Sequence, residues 1–266
     1  MKILIMGLPG SGKSTLAKKL VEALEASNTP AKWNNADAIR SFFDDWDFSD
    51  AGRLRQAYRM GSYADTDVKD GLVSICDFVC PTDAYRSAFQ KNTKADIIVW
   101  MDTIERGRFE DTNKVFQPPT EYTYRVCEFD SDKWVTVLLK AIRYNNLPLR
   151  FDPKKPTVQL LGRYQPWHDG HTALFERALE KTGQVCIMVR DCQGWNENPF
   201  DFGFVERNIH KALQAKYCGQ YTVQLVPNIV NITYGRDVGY KIEQEHLGDE
   251  IHAISATKIR QEMGLK

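Results

Sequence analysis

The sequence predicts an α/β fold in two units, each a parallel sheet wound with helices. Three observations predict it. Apolar, strand-like runs alternate with segments of helical apolar spacing along most of the 266 residues. Two of those strands end in a glycine-bearing turn that opens a helix, at Gly7–Ser14 and at Gly162–His171. Between the two patterns, Leu147 to Pro156 carries three prolines and reads as a linker. The expected units are residues 1–150 and, smaller, 156–266.

The elements follow in order. Lys2 to Met6 is a buried strand stopped by Gly7. From Lys13 onward, Leu16, Leu20, Val21 and Leu24 recur at helical spacing, and Asn28-Thr29-Pro30 ends that helix. Ala31 to Asn35 is a second strand. Leu54 to Lys69 is polar and helical in tone. Leu72 to Cys80 reads as a long strand stopped by Pro81, which would put Cys76 and Cys80 on one face. Ala95 to Asp102 is another strand. Trp134, Val137, Leu138, Ala141 and Ile142 form a helical stripe with Ser131 as its expected N-cap. After the linker, Thr157 to Leu161 is a strand. Leu174 to Leu179 marks a helix ended near Gly183. Val185 to Val189 is a strand, Val205 to Leu213 a helix, Tyr221 to Val226 a strand ended by Pro227. A last helix follows Ser255.

Composition excludes several classes. Lys+Arg and Asp+Glu both number 35, so the net charge of zero is not that of a nucleic-acid or membrane-surface binder. No apolar run is long enough to span a bilayer, and Met1 to Gly7 is too short for a secretory leader. The six cysteines contain no C-x-x-C pair, so reduced, buried thiols in a cytoplasmic protein are expected rather than a zinc site. The expected partners are small phosphorylated metabolites, with no nucleic acid and no membrane. The oligomeric state is left open.

Gly7-Leu8-Pro9-Gly10-Ser11-Gly12-Lys13-Ser14 fits G-x-x-x-x-G-K-S, the P-loop. Its glycines let backbone N–H groups curl around phosphates at a helix N-terminus. Gly7, Gly10, Ser11, Gly12, Lys13, Ser14 and Thr15 are therefore candidate ATP-binding residues. Lys13 would bridge the terminal phosphates and Ser14 would ligate Mg²⁺. Downstream come Asn35-Ala36-Asp37-Ala38-Ile39-Arg40, Phe48-Ser49-Asp50-Ala51-Gly52-Arg53, Arg59-Met60-Gly61 and Pro81-Thr82-Asp83-Ala84-Tyr85-Arg86. In this order they resemble the adenylylsulfate kinase family over residues 1–130. The resemblance implies that Asp37 is the catalytic base or organises Mg²⁺. It also implies that Arg40, Phe48, Arg53 and Arg86 hold the acceptor. Solvated surface charge is the alternative for the arginines, and a core position for Phe48. Ala36, Gln56 and Tyr58 depart from the family pattern, and Arg106 to Pro119 does not resemble its lid.

Gly162-Arg163-Tyr164-Gln165-Pro166-Trp167-His168-Asp169-Gly170-His171 sets two imidazoles and a helix N-terminus at one corner. With Asn198-Pro199-Phe200, Glu206-Arg207 and Ser255-Ala256-Thr257-Lys258-Ile259-Arg260, it resembles the HxGH nucleotidyltransferases over residues 157–264. Nicotinamide-nucleotide adenylyltransferases are the branch most alike, and cytidylyltransferases remain open. The resemblance implies nucleotide contacts from Gly162, Arg163, Tyr164, His168, Gly170, His171, Ser255, Thr257, Lys258 and Arg260. His168, His171 and Arg260 would carry catalysis by stabilising phosphate charge. Trp195 would face the acceptor base or, alternatively, be structural. Tyr234-Gly235-Arg236-Asp237 is a further candidate nucleotide contact.

Together these imply an α/β chain in which a P-loop kinase domain, a parallel sheet with helices on both faces, precedes a smaller Rossmann-like HxGH nucleotidyltransferase domain. The expected function is bifunctional. An ATP- and Mg²⁺-dependent kinase would act on a small molecule. A nucleotidyltransferase would move AMP, or CMP from CTP, onto a phosphorylated acceptor with release of pyrophosphate. Alternatives are a sulfate-activation pair, a cytidylyltransferase with a kinase partner, and a nucleotide-sensing regulator.

Overall fold

The computed structural model describes residues 1–144, 151–194, 197–233, 235, 239, 241–248 and 254–265. The chain divides into two compact units, Met1–Pro148 and Leu149–Lys266. Part of the expected linker, residues 147–150, lies outside the described residues.

The first unit is built on five parallel strands: β1 (Lys2–Gly7), β2 (Ala31–Asn35), β3 (Val73–Asp77), β4 (Ile97–Met101) and β5 (Tyr124–Val126). Their order is β2-β3-β1-β4-β5. β1 is central because all six of its residues are buried. Such a strand needs cover on both faces, as parallel sheets do. One face carries Leu4, Met6, Cys76, Ile98 and Trp100 into a core shared with Ala57, Met60 and Ala64 of α3 (Asp50–Lys69) and Tyr85 and Phe89 of α4 (Asp83–Phe89). The other face presents Ile3, Ile5, Ile75, Ile97 and Val99, all fully buried. Helix α1 (Lys13–Glu25) buries Leu16, Leu20 and Leu24, each burial contributing about 1.5–3 kcal/mol. The remaining helices are α2 (Ala36–Phe42), α5 (Glu110–Val115) and α6 (Ser131–Arg143).

Among the described residues of the second unit, three parallel strands run in the order β6 (Val158–Gly162), β7 (Val185–Arg190), β8 (Tyr221–Val226). Their core joins Val185, Ile187 and Val189 to Phe175 and Ala178 of α7 (Asp169–Thr182) and to Val205, Ile209 and Leu213 of α8 (Phe202–Tyr217). Gly183, left-handed at φ 76°, caps α7. Helix α9 (Ala256–Glu262) follows Ser255. The buried Gln184 amide receives the incoming chain: its Nε2 donates to Asp152 O at 2.7 Å, and Asp152 N donates back to Oε1 at 3.1 Å.

Three expectations are corrected. The Leu72–Cys80 run is a strand only over Val73–Asp77, because beyond Asp77 the backbone turns and Cys80 is left-handed at φ 44°. Cys76 and Cys80 still enter one core, but not through strand alternation. Burial pushes the Cys76 thiol up to about 12 and Cys80 higher still, so neither ionises near neutrality. The N-cap of α6 is Asp130, whose carboxylate accepts from Lys133 N at 3.0 Å; Ser131 is the first helical residue. Among the described residues the six cysteines form no disulfide.

Candidate functional site

The P-loop lies where the sheet sets it. The register pairs Ile5 with Asp77 and Gly7 with Met101, so the turn after β1 emerges between the ends of β3 and β4. Gly7 is at φ 147°, and a Cβ there would stand 2.4 Å from Met101 O. Gly12 is left-handed at φ 90°, and a Cβ there would run into the Phe129 ring. The Ser11 hydroxyl is buried in this loop without a hydrogen-bond partner among the described residues.

The loop opens onto a cavity of about 670 Å³ lined by Gly10, Gly12, Lys13, Ser14, Thr15, Asp37, Arg40, Phe48, Arg53 and Asp77, among others. Most of the expected kinase residues are thereby brought together. Lys13 is buried and donates to Leu8 O at 2.8 Å. Burial pulls its ammonium down to about 8, against the opposing pull of Asp77 and Asp37. The Ser14 hydroxyl donates to Asp77 Oδ2 at 2.5 Å. Trp33 Nε1 and Asn35 Nδ2 donate to the same carboxylate at 2.6 and 3.1 Å. Asp37 stands exposed in the first turn of α2, whose N-cap Asn35 accepts from Ala38 N at 2.9 Å.

The arginines are less free than expected. Arg40 is buried and donates to the carbonyls of Asp45 and Asp47 at 2.8 and 3.0 Å. Arg53 donates to Phe48 O at 2.8 Å and to Asp111 Oδ2 at 3.0 Å, tying α3 to α5. Their guanidinium carbons lie 4.7 and 5.8 Å from the centre of the Phe48 ring, which is half-exposed and not a core residue. Arg86 is not among the cavity's lining residues. It braces the backbone instead, donating to Pro81 O at 3.2 Å and to Gln117 O, beside Asp83.

Cavity residues that sequence reasoning missed include Trp46, Asp77, Arg108, Phe109 and Phe129. Asp77 ends β3 and reaches Ser14 only through the register of β1 against β3. The others sit in stretches without periodicity. Arg108 N donates to Pro9 O at 3.4 Å, while its guanidinium makes no hydrogen bond or ion pair among the described residues.

The donor set suits Mg²⁺. It is a hydroxyl and two carboxylates, all hard oxygen donors, beside a phosphate cradle. No cluster of three or more His, Cys, Asp or Glu suited to a metal occurs among the described residues. Mg²⁺ needs none, since substrate phosphates and water supply most of its ligands.

A pH effect follows from Lys13. A cation is needed to meet the triphosphate, and the free group titrates near 8. Nucleotide affinity should be steady up to about pH 7 and fall up to about tenfold per unit well above pH 8. Calorimetry at pH 8 in buffers of different ionisation enthalpy should show uptake of about half a proton on binding.

In the second unit, the chain leaves β6 through Tyr164, left-handed at φ 50°, and a cis Gln165–Pro166 bond. It enters α7 at the N-cap His168. The His168 and His171 rings stack with centres 3.8 Å apart, and His168 N donates to His171 Nδ1 at 3.3 Å. Tyr164 and Trp167 flank His171 with ring centres 5.0 and 5.3 Å away. Burial, then the proximity of His168, pulls His171 down to about 3; burial lowers His168 as well. Both imidazoles are therefore neutral at pH 7.

Three separated segments meet at Gln165. Its Nε2 donates to Phe200 O at 2.8 Å, and Phe200 N donates back to Oε1 at 2.9 Å. Arg260 donates to Gln165 O at 2.6 Å and to Glu197 and Thr257 at 3.2 Å each. Arg260 is thus buried as a clasp on the loop. Gly170 is buried, His171 half-buried, and Arg163, Thr257 and Lys258 exposed. Ser255 is the N-cap of α9, without a side-chain capping bond. Trp195 lies outside the described residues, as do Tyr234, Arg236 and Asp237.

The first unit has a parallel α/β sheet with a P-loop at its central strand, the arrangement of a P-loop kinase. Residues 1–116 match the family model for adenylylsulphate kinase, so this part of the chain is adenylylsulfate kinase-like. The adenylyl-sulfate kinase of Shigella flexneri is 36% identical over 100 residues, covering 36% of this chain and 50% of that protein. The adenylyl-sulfate kinase of Escherichia coli K12 gives the same figures. The chain spans about half the length of the curated relatives it matches. Among solved structures, the Mycobacterium tuberculosis APS kinase in complex with AMPPNP and APS aligns at 20% identity and a TM-score of 0.48, over 53% of this chain and 96% of its own. A gluconokinase from Sinorhizobium meliloti aligns at 15% identity and 0.37, over 55% and 97%. Among the described residues no helix is long and apolar enough to cross a membrane.

Proposed function

We propose that the chain is a bifunctional transferase: an ATP-dependent small-molecule kinase in the first unit and a nucleotidyltransferase in the second. The observation that carries the kinase reading is the gathering of Lys13, Ser14, Asp37 and Asp77 around one cavity at the end of β1. There the P-loop amides and Lys13 hold the β- and γ-phosphates. Ser14, Asp77 and Asp37 would hold Mg²⁺, which would neutralise charge on the phosphates. Asp37 receives the acceptor's proton. Such transfer needs positioning and charge stabilisation more than covalent chemistry.

The nucleotidyltransferase reading is supported by the convergence of the His168–His171 turn, the Asn198–Phe200 stretch and α9 on Gln165. Neutral imidazoles at a helix N-terminus are fit to donate to phosphate oxygens as pyrophosphate leaves. ATP is the proposed donor at both sites, acting with Mg²⁺. The protein is proposed to work in the cytoplasm on phosphorylated small molecules.

One experiment tests both halves. The protein is incubated with a metabolite extract and each nucleoside triphosphate in turn. Expected are ADP with a phosphorylated product, and, separately, pyrophosphate with a nucleotidylated product. Release of neither would reject the proposal, and a CTP requirement would replace AMP transfer with CMP transfer.

A further inference from the structure

We infer that the acceptor of the first unit is a nucleoside, a flat ring on a hydroxylated sugar with no phosphate of its own. This rests on the kinase reading above and narrows its substrate.

Charge is the first ground. Four cations line the cavity, Lys13, Arg40, Arg53 and Arg108, against two carboxylates, Asp37 and Asp77. The surplus of two positive charges equals the charge of about minus two on a magnesium-bound nucleoside triphosphate, so the phosphate donor alone consumes it. Two of the cations are also committed elsewhere. Arg53 pairs with Asp111 at 3.0 Å, and Arg40 holds two carbonyls with Asp45 at 4.0 Å. Arg86, the third arginine that would have met an acceptor phosphate, is turned onto Pro81 and Gln117. A phosphate or sulfate on the acceptor would lose its water without gaining a matching cation.

The cavity wall is the second ground. Trp46 and Phe48, on the connection from α2 to α3, line the cavity while 50% exposed, with ring centres 6.4 Å apart. Phe109 lines it at 58% exposed. Apolar rings held half in water around the cleft suit a ligand with a ring of its own, since stacking and apolar burial then act together. A sugar or sugar acid would leave them wet.

The reaction balances without a further reactant. The acceptor hydroxyl oxygen bonds to the γ-phosphorus, the bond from that phosphorus to the β–γ bridging oxygen breaks, ADP leaves, and the hydroxyl proton passes to the Asp37 carboxylate.

The test measures acceptor-dependent ADP formation by the full chain with ATP and Mg²⁺. The acceptors are ribonucleosides, their 5′-monophosphates, adenylylsulfate, ribose and gluconate. The best nucleoside should exceed its own 5′-monophosphate and adenylylsulfate by about tenfold or more in kcat/KM, and the ring-free compounds by at least as much. Trp46→Ala should raise KM for that nucleoside about tenfold while shifting KM for ATP less than about twofold. Preference for adenylylsulfate, a monophosphate or a ring-free acceptor overturns the inference and leaves the kinase reading standing. An unmoved nucleoside KM in Trp46→Ala also overturns it. If no compound stimulates ADP formation and ATP does not bind, the kinase reading itself fails.

Discussion

Lys13→Ala is expected to lower ATP-dependent phosphoryl transfer by about 10³-fold or more, with release of pyrophosphate by the second unit kept within about twofold of the parent. The magnitude comes from what the ammonium does. A buried cation that meets charge developing on the transferred group is worth about 10²–10³ when removed, as other preorganised donors are. Lys13 also helps hold the triphosphate in the ground state, which adds a binding loss. The site is sensitive because nothing replaces the lost charge. Arg40 and Arg53 line the same cavity but are held by Asp45, Asp47, Phe48 and Asp111. Arg108 is exposed. The substitution should not unfold the unit, because the one hydrogen bond its side chain makes, to Leu8 O, is the one a phosphate would replace. Far-UV circular dichroism and a thermal melt establish that, and ADP and pyrophosphate are assayed in parallel. Loss of both activities would contradict two independent sites. An unchanged ADP rate would remove Lys13 from the mechanism.

The strand and helix periodicities carried most of the fold because each long element buries one clear face. Leu16, Leu20 and Leu24 mark α1, and the six buried residues of β1 mark a central strand. Helix α5, with six residues, and β5, with three, were missed because neither is long enough for a period to show. The P-loop was legible because glycine spacing reflects a local backbone need, the positive φ at Gly7, Gly10 and Gly12. Asp77 was not legible, since its place beside Ser14 depends on the register of β1 against β3 across many residues. Arg86 shows the opposite failure. Its offset in sequence matched an acceptor contact, but the backbone carbonyls of Pro81 and Gln117 lie within its reach and take its donors. In the second unit each motif could be seen separately. That Gln165 would join two of them to its own loop could not, because those bonds link residues far apart in the chain.

His168→Ala should lower pyrophosphate release by the second unit about 10²–10³-fold and leave ADP formation by the first unit intact. His168 is the N-cap of α7, so its side chain and the helix N-terminus act on the same point, where an anion is favoured. Burial keeps its imidazole neutral at pH 7, and a neutral ring stabilises phosphate charge by donating one N–H rather than by carrying a charge. The rate should therefore show no loss between about pH 7 and 8 traceable to either histidine, since His171 is pulled down to about 3 and burial lowers His168 from its usual value. A protonated, charge-stabilising histidine would instead give a rate that falls as pH rises through its pKa. The loop around His168 has anchors besides that side chain. Gln165 is fixed by Phe200 and Arg260, and Tyr164 and Trp167 are buried against His171. Removing one half-buried ring should cost less than the fold can bear, and a melt on the variant checks it. His171→Ala is the contrasting substitution. It opens the aromatic cluster as well as removing a donor, so a fall in melting temperature should accompany its fall in rate. If His168→Ala releases pyrophosphate at the parent rate while still folded, the stacked histidines are packing alone and the nucleotidyltransferase proposal loses its catalytic centre.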